Sequence, residues 1–389
     1  MRGWRRPRLL RSLRRVAHCL PTRGNGLELF HDGDQLFRSM LDAIRNAERR
    51  VYMEMYTFLA DRTGWRFAYA LAERAQAGVE VRIVYDAVGS FGLSASLLRL
   101  LHEAGVQTVV YHPVAPWRRH FTLFRRNHRK VLTVDGTIGY VGGVNIGDPW
   151  MGRRRGGGNW RDTHLRVDGP AAGDLEMLFV DTWYRETGEE LSRSPLPREP
   201  QGDKAADARQ VYIVGGLGGP GRRIRRLYLI ALGQARRRVV IANSYFVPDR
   251  KFRKALTHAR RRGLRVQLLL PLRSDVRVAQ LASQSFFSRL LRDGIEIYLW
   301  RPTVLHAKFA VIDDDWWTVG SSNLDHWSFQ RNLEANAVVL DQESGRALSA
   351  RFERDLRFAD AVELSQWRRR PFLQKVLERL ASLLRGWLL

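Results

Sequence analysis

Two short runs each place an imidazole beside an amine: His128-Arg-Lys130 and His306-Ala-Lys308. Each continues through four residues to an aspartate, Asp135 or Asp313. Gly142-Gly143-Val-Asn145 follows the first and Gly320-Ser321-Ser322-Asn323 the second. On a strand, residues two apart share a face, so each His and its Lys address the same group. Cleaving a phosphodiester requires a nucleophile, an acid for the departing alkoxide, and cationic donors for the phosphoryl oxygens. Two His, two Lys and two Asn supply all three without a metal or cofactor, and no carboxylate cluster with metal-ligand spacing accompanies them. Asp135 and Asp313 count with this catalytic set as part of the motif. They fall on the opposite strand face, where an aspartate ties strand to loop backbone.

The motifs recur at a constant lag. His128, Lys130, Asp135, Gly142 and Asn145 reappear 178 positions later as His306, Lys308, Asp313, Gly320 and Asn323. Five chemically specific matches at one lag mark an internal duplication. Tyr56 and Tyr245 form a further pair at a slightly different lag. Two units of about 180 residues would pack around a pseudo-twofold axis, with both motifs in one site.

The elements that position these residues alternate between helix and strand. Leu36, Phe37, Met40, Leu41 and Ile44 form a helical stripe. Strands are expected at 51–59, 79–85 and 106–111, with helices between them that end at Gly78 and Gly105. The succession returns after residue 210, with strands at 239–247, 264–270 and 295–300. The pattern predicts an α/β fold with two mixed, mostly parallel sheets flanked by helices. The divisions are a basic segment at 1–24, a first half at 25–187, a linker at 188–209, a second half at 210–360 and a C-terminal helix at 361–389.

Of the 389 residues, 44% are hydrophobic, with 12 Trp and 17 Phe, which is ample for a packed core. Lys and Arg number 65 against 40 acids, a net charge of +25 that calls for a polyanionic partner, nucleic acid or an anionic membrane. A single cysteine, Cys19, excludes an intramolecular disulfide. No apolar run approaches the roughly 18 residues of a membrane span. No cleaved secretory signal is expected, because the Arg-rich start lacks an apolar core and cleavage site.

These residues resemble the phospholipase D superfamily, whose signature is H-x-K-x4-D followed by G-[GS]-x-N. Both copies match it at every position, and the likeness runs from about residue 25 to residue 358. Within the superfamily the chain is most similar to short bacterial cardiolipin synthases. Supporting segments are 52–58 (YMEMYTF), 160–170 (WRDTHLRVDGP), 244–248 (SYFVP), 320–325 (GSSNLD) and 332–336 (NLEAN). The resemblance implies a two-step reaction. His128 would be the nucleophile that forms a phosphatidyl-histidine, and His306 the acid and base. Lys130, Lys308, Asn145 and Asn323 would hold the phosphoryl oxygens. Asp162 and Glu334 follow their histidines by 34 and 28 residues and would receive the outer ring N–H of His128 and His306.

The expected reaction joins two phosphatidylglycerol molecules into cardiolipin with release of glycerol. Rival readings are a phospholipase D-type hydrolase or nuclease and a non-enzymatic basic scaffold. The expected partner is anionic phospholipid, phosphatidylglycerol, met peripherally at the cytoplasmic face of the cell membrane. Nucleic acid and protein partners are not expected. Three segments bear on the membrane. The N-terminal residues read as a basic amphipathic helix or a solvated tail. The stretch 117–126 (WRRHFTLFRR) mixes aromatics and cations before the first motif. The C-terminal stripe of Phe372, Leu373, Val376, Leu377, Leu380, Leu383, Leu384, Trp387 and Leu388 reads as an interfacial helix or one docked on the protein. The glycine-rich run 215–221 lacks the Lys-Ser/Thr of a phosphate loop and reads as a connector.

Overall fold

A computed structural model describes residues 12, 15–17, 19–114, 122, 125–152, 157–192, 209–215 and 220–383. Most of the N-terminal segment, most of 117–126 and of the glycine-rich run, linker residues 193–208 and residues 384–389 lie outside them.

The first half runs β1 (Gly26–Phe30), α1 (Gly33–Arg45), β2 (Arg50–Met55), α2 (Arg62–Gln76), β3 (Glu80–Asp86), α3 (Ala95–Glu103), β4 (Gln107–Tyr111), β5 (Lys130–Val134), β6 (Ile138–Gly142), β7 (His164–Asp168) and α4 (Pro170–Thr187). The second half begins with β8 (Gln210–Val214), α5 (Pro220–Gln234), β9 (Arg238–Asn243), α6 (Arg250–Arg261), β10 (Arg265–Pro271), α7 (Arg277–Gln284) and α8 (Phe287–Arg292). It continues with β11 (Glu296–Trp300), β12 (Lys308–Ile312), β13 (Trp316–Gly320), α9 (His326–Gln330), β14 (Asn336–Leu340), α10 (Gln342–Leu356), β15 (Ala359–Ala361), α11 (Leu364–Arg368) and α12 (Phe372–Leu383).

Several helices start where an aspartate or serine satisfies a free backbone N–H. Asp32 accepts from the Gln35 amide at α1, Asp61 from Gly64 at α2, and Asp249 from Lys251 and Phe252 at α6. The α1 stripe predicted from spacing, Leu36 to Ile44, is buried as expected.

The sheets have orders β1-β7-β6-β5-β2-β3-β4 and β15-β11-β10-β9-β12-β13-β14-β8. Both are mixed, as expected, but parallel pairing is confined to β2-β3-β4 and β9-β10-β11. The remaining pairs are antiparallel, which corrects the mostly parallel expectation. The cause is local: tight turns at Asp135-Gly136 and Asp313-Asp314 fold β5 onto β6 and β12 onto β13 as hairpins. Asp135, Asp313 and Asp314 hold left-handed φ values of 53°, 57° and 63°. That is a conformation aspartate tolerates better than most residues.

Four apolar clusters follow, three of them large. One lies between the first sheet and α1–α3, and another between the second sheet and its outer helices. The central layer joins the two sheets: Val131, Val141 and Leu165 pack with Phe309, Val311 and Val319. The halves thus share a core, and the motif strands β5 and β12 lie side on to it. Alternation along β5 and β12 sends Val131 and Phe309 into this layer and leaves Lys130 and Lys308 on the other face.

The C-terminal helix is docked on the protein along one face. α12 packs on α7, burying Ala381 and Glu378, and Glu378 pairs with Arg370 at 2.7 Å. Its other face leaves Phe372, Leu373, Leu377, Leu380 and Leu383 exposed. No helix among the described residues is long and apolar enough to cross a membrane.

Candidate active site

The two motifs meet because each half lends the other a strand edge. Asn127 bridges Leu333, and the His128 amide donates to the Leu333 carbonyl at 3.0 Å. In the pseudo-symmetric place Arg161 bridges Leu305, and the His306 amide donates to the Arg161 carbonyl at 2.8 Å. Residues 333–334 therefore run beside His128, and 161–162 beside His306.

This crossing decides which carboxylate orients which imidazole. His128 Nδ1 lies 3.1 Å from each oxygen of Glu334. His306 Nδ1 lies 2.6 Å from Asp162 Oδ2. The pairs are the reverse of the same-half pairs expected from sequence order. A carboxylate at Nδ1 assigns the proton to that nitrogen and leaves the Nε2 lone pair free. Ser321 Oγ also donates to Glu334, and Trp150 Nε1 donates to Asp162 at 3.2 Å. Arg161 does not pair with the Asp162 side chain; its guanidinium bonds Asp355 at 2.6 Å.

Both amines are fully buried next to their histidines. Lys130 Nζ donates to the His128 carbonyl at 2.6 Å and sits 4.8 Å over the Tyr56 ring. Lys308 Nζ donates to the His306 carbonyl and, at 2.8 Å, to Ser244 Oγ. Asn145 accepts from the Thr57 amide at 3.1 Å, and Asn323 accepts from Ser244 Oγ at 2.9 Å. His128, His306, Asn145 and Asn323 line one cavity of about 410 Å³, together with Tyr56, Tyr245, Trp150 and Trp160. The rings of Trp150 and Trp160 each stand 5.6 Å from that of His306.

Asp135 and Asp313 are not part of this cavity. Asp135 accepts the amides of Glu48, Arg49 and Arg50, and Asp313 those of Arg236, Arg237 and Arg238. Of their two sequence readings, geometry supports the backbone tie at the far ends of β5 and β12. Counting them with the catalytic set is corrected accordingly. Gly143 is required by close approach, because a Cβ there would fall 2.2 Å from Asp162 Oδ1.

Sequence reasoning missed a buried support under the first motif. Arg129, between His128 and Lys130, is fully buried with Glu54 at 3.3 Å. It also reaches the Glu334 carbonyl at 3.3 Å, while Asn127 donates to Glu54 at 2.5 Å. The second motif has Ala307 in the corresponding place. Trp150 and Asp275 were likewise missed; neither belongs to the repeat, so the constant lag carried no signal for them. Ser244, Tyr245 and Ser321 fall in the segments that carry the resemblance, but their spacing assigned them no role.

Electrostatics follow from burial among paired charges. Burial, reinforced by Lys130, pushes the His128 imidazole down to about 4 against the pull of Glu334. Burial and Lys308 likewise lower His306. Burial opposes ionisation of Asp162 and Glu334, yet His306 and His128 beside them hold both below the usual carboxylate range. The resting site therefore holds neutral imidazoles on ionised carboxylates. Burial lowers Lys308 to about 8 and Lys130 well below its ordinary value. As pH falls through about 4, His128 gains a proton and its lone pair is lost. As pH rises through about 8, Lys308 loses the charge that would hold a phosphoryl oxygen. The profile of kcat/KM is thus expected to fall on both sides of this window. A profile that stays level well above pH 8 would contradict the role given to Lys308.

Comparison with known proteins agrees with this geometry. A family model described as "Cardiolipin synthase, PLD-like domain" matches residues 40–154 and 228–356, one stretch around each motif. The chain belongs to the cardiolipin synthase family. A cardiolipin synthase of Geobacillus kaustophilus is 35% identical over 377 residues, 97% of this chain and 75% of the relative. Cardiolipin synthase 2 of Bacillus anthracis is 35% identical over 359 residues, 91% of this chain and 69% of the relative. The crystal structure of phosphatidylserine synthase from Haemophilus influenzae Rd KW20 superposes with a TM-score of 0.71 at 16% identity, covering 97% of this chain and 98% of that one. This last match speaks to fold alone. As in its cardiolipin synthase relatives, the enzyme class is phosphatidyltransferase.

Proposed function

We propose that the chain makes cardiolipin from two phosphatidylglycerol molecules through a phosphatidyl-histidine. The observation that carries this reading is the pair of crossed carboxylate–histidine bonds, which places two neutral imidazoles on one cavity. His128 Nε2 attacks phosphorus. The bond from phosphorus to the headgroup oxygen breaks, and His306 supplies the proton that glycerol takes away. Docking of the phosphodiester anion raises the proton affinity of His306, which takes up a proton from solvent at Nε2 and then passes it to the departing glycerol oxygen. A hydroxyl of the second phosphatidylglycerol then gives its proton to His306 and bonds to phosphorus as the bond to His128 breaks. Lys130, Lys308, Asn145 and Asn323 neutralise the phosphoryl oxygens. Water in place of the second alcohol would yield phosphatidic acid. Relatives named cardiolipin synthase favour the alcohol.

Attachment to an anionic bilayer on the cytoplasmic side belongs to the same reading. The exposed leucines of α12 supply apolar surface. Its Leu383 shares a groove with Arg225, Arg250 and Lys251. Cations beside apolar side chains suit anionic headgroups over acyl chains. Incubation with phosphatidylglycerol vesicles, read by mass spectrometry, should give cardiolipin and glycerol, and the protein should sediment with these vesicles but not with zwitterionic ones. Phosphatidic acid alone, or cleavage of added nucleic acid with no lipid turnover, would overturn the synthase reading. Protein that stays in solution would overturn the membrane reading.

A further inference from the structure

The two halves of the cavity differ in their carboxylates: Asp275 and Asp325 line it from the second half, and none lines it from the first. Asp275 stands four residues past the end of β10, in the loop before α7, and lines the cavity with His306 and Tyr245. Tyr245 Oη donates to its Oδ2 at 2.7 Å, and Ser274 Oγ donates to its Oδ1 at 3.3 Å. Asp275 is exposed, and among the described residues no Lys or Arg lies within ion-pair distance of it. In the first half, Ser90 stands four residues past the end of β3. Ser90 is buried and spent on backbone, donating to the Tyr56 carbonyl at 3.0 Å and accepting from the Phe58 amide at 3.0 Å. Of the two cavity carboxylates, Asp325 is buried and caps α9 at the Ser328 amide, so Asp275 is the exposed one.

A carboxylate is a poor neighbour for a phosphoryl oxygen and a strong acceptor for a hydroxyl. Its charge acts on His306 and Lys308, raising both against the burial that lowers them. It therefore stands on the side of the histidine assigned to move the alcohol's proton. Resting on the phosphatidyl-transfer reading above, we propose that Asp275, held by Tyr245, is a specificity-determining residue that receives the second hydroxyl of a vicinal-diol acceptor. The glycerol headgroup of phosphatidylglycerol has two adjacent hydroxyls. One loses its proton to His306 and bonds to phosphorus as the His128–phosphorus bond breaks. The other donates to Asp275 and fixes the angle of attack. A simple alcohol has no such second group and gains nothing from Asp275.

Competition between acceptors isolates this step, because donor cleavage is common to both products. Wild type, Asp275→Asn and Tyr245→Phe would each receive phosphatidylglycerol vesicles with 1-propanol, and the ratio of cardiolipin to phosphatidylpropanol would be read. Asp275→Asn should lower the ratio about tenfold or more, the scale of a hydrogen bond to a charged group. Tyr245→Phe, which frees the carboxylate without removing it, should lower it less. An unchanged ratio in Asp275→Asn overturns the proposal. Asp275 is exposed, so the amide should not disturb folding, and a thermal melt of each variant checks this. A wild type that yields neither product overturns the phosphatidyl-transfer reading itself, and with it the basis for assigning Asp275.

Discussion

Alanine at His128 lowers kcat for phosphatidyl transfer by at least about 10⁴-fold, and alanine at His306 does the same with an ordinary substrate. The two losses do not add. Nucleophile and proton carrier act as one unit, so the double variant should be about as slow as either single one. Steady-state cardiolipin formation by the three variants checks this. Wild-type-like activity in either single variant would remove that histidine from the mechanism. KM for phosphatidylglycerol should move little, because Lys130, Lys308 and both asparagines remain. Both imidazoles are buried against carboxylates, so the variants leave Glu334 or Asp162 without its partner. A melting curve is therefore measured alongside.

Glu334→Gln and Asp162→Asn are expected to lower kcat by about 10²- to 10⁴-fold, through the wrong tautomer and a mobile ring. The amide removes the charge that keeps the proton on Nδ1, and the Nε2 lone pair turns away from phosphorus. The crossed pairing makes a sharper statement. A hydrogen-bonded Nδ1 proton gives a far-downfield NMR resonance. Glu334→Gln should erase the one that His128→Ala also erases, and Asp162→Asn the one tied to His306. Same-half pairing would exchange the two results. Arg129 strengthens the expectation, since it reaches the Glu334 carbonyl while paired with Glu54 in the buried support under His128.

Much of the chemistry was legible in sequence because duplication repeats residue types at one lag. That lag marked the histidines, lysines, asparagines and aspartates together, whatever each one does. It did not separate Asp135 and Asp313, which tie β2 and β9 to the motif strands, from the residues of the cavity. Nor did it distinguish same-half from crossed carboxylates, since Asp162 and Glu334 stand 172 positions apart, outside the constant lag. The crossing arises from long-range bridges, Asn127 with Leu333 and Arg161 with Leu305, which no local pattern encodes. Strand direction was misjudged because helix–strand alternation was given more weight than turns. The Asp135-Gly136 dipeptide between apolar runs is itself a hairpin signal. Trp150 and Asp275 escaped because they break the symmetry that made the other residues visible.

The most direct measurement is to trap the covalent intermediate. A phosphatidyl ester of p-nitrophenol departs without a proton, so His306→Ala should still react with it once. That variant lacks the base for the second step and should stall. Acid-sparing quench, digestion and mass spectrometry would then locate the phosphatidyl group. The account predicts a phosphatidyl adduct on His128 Nε2 in His306→Ala and none in His128→Ala. Release of p-nitrophenol with no adduct on His128, or an adduct on any other residue, would contradict it.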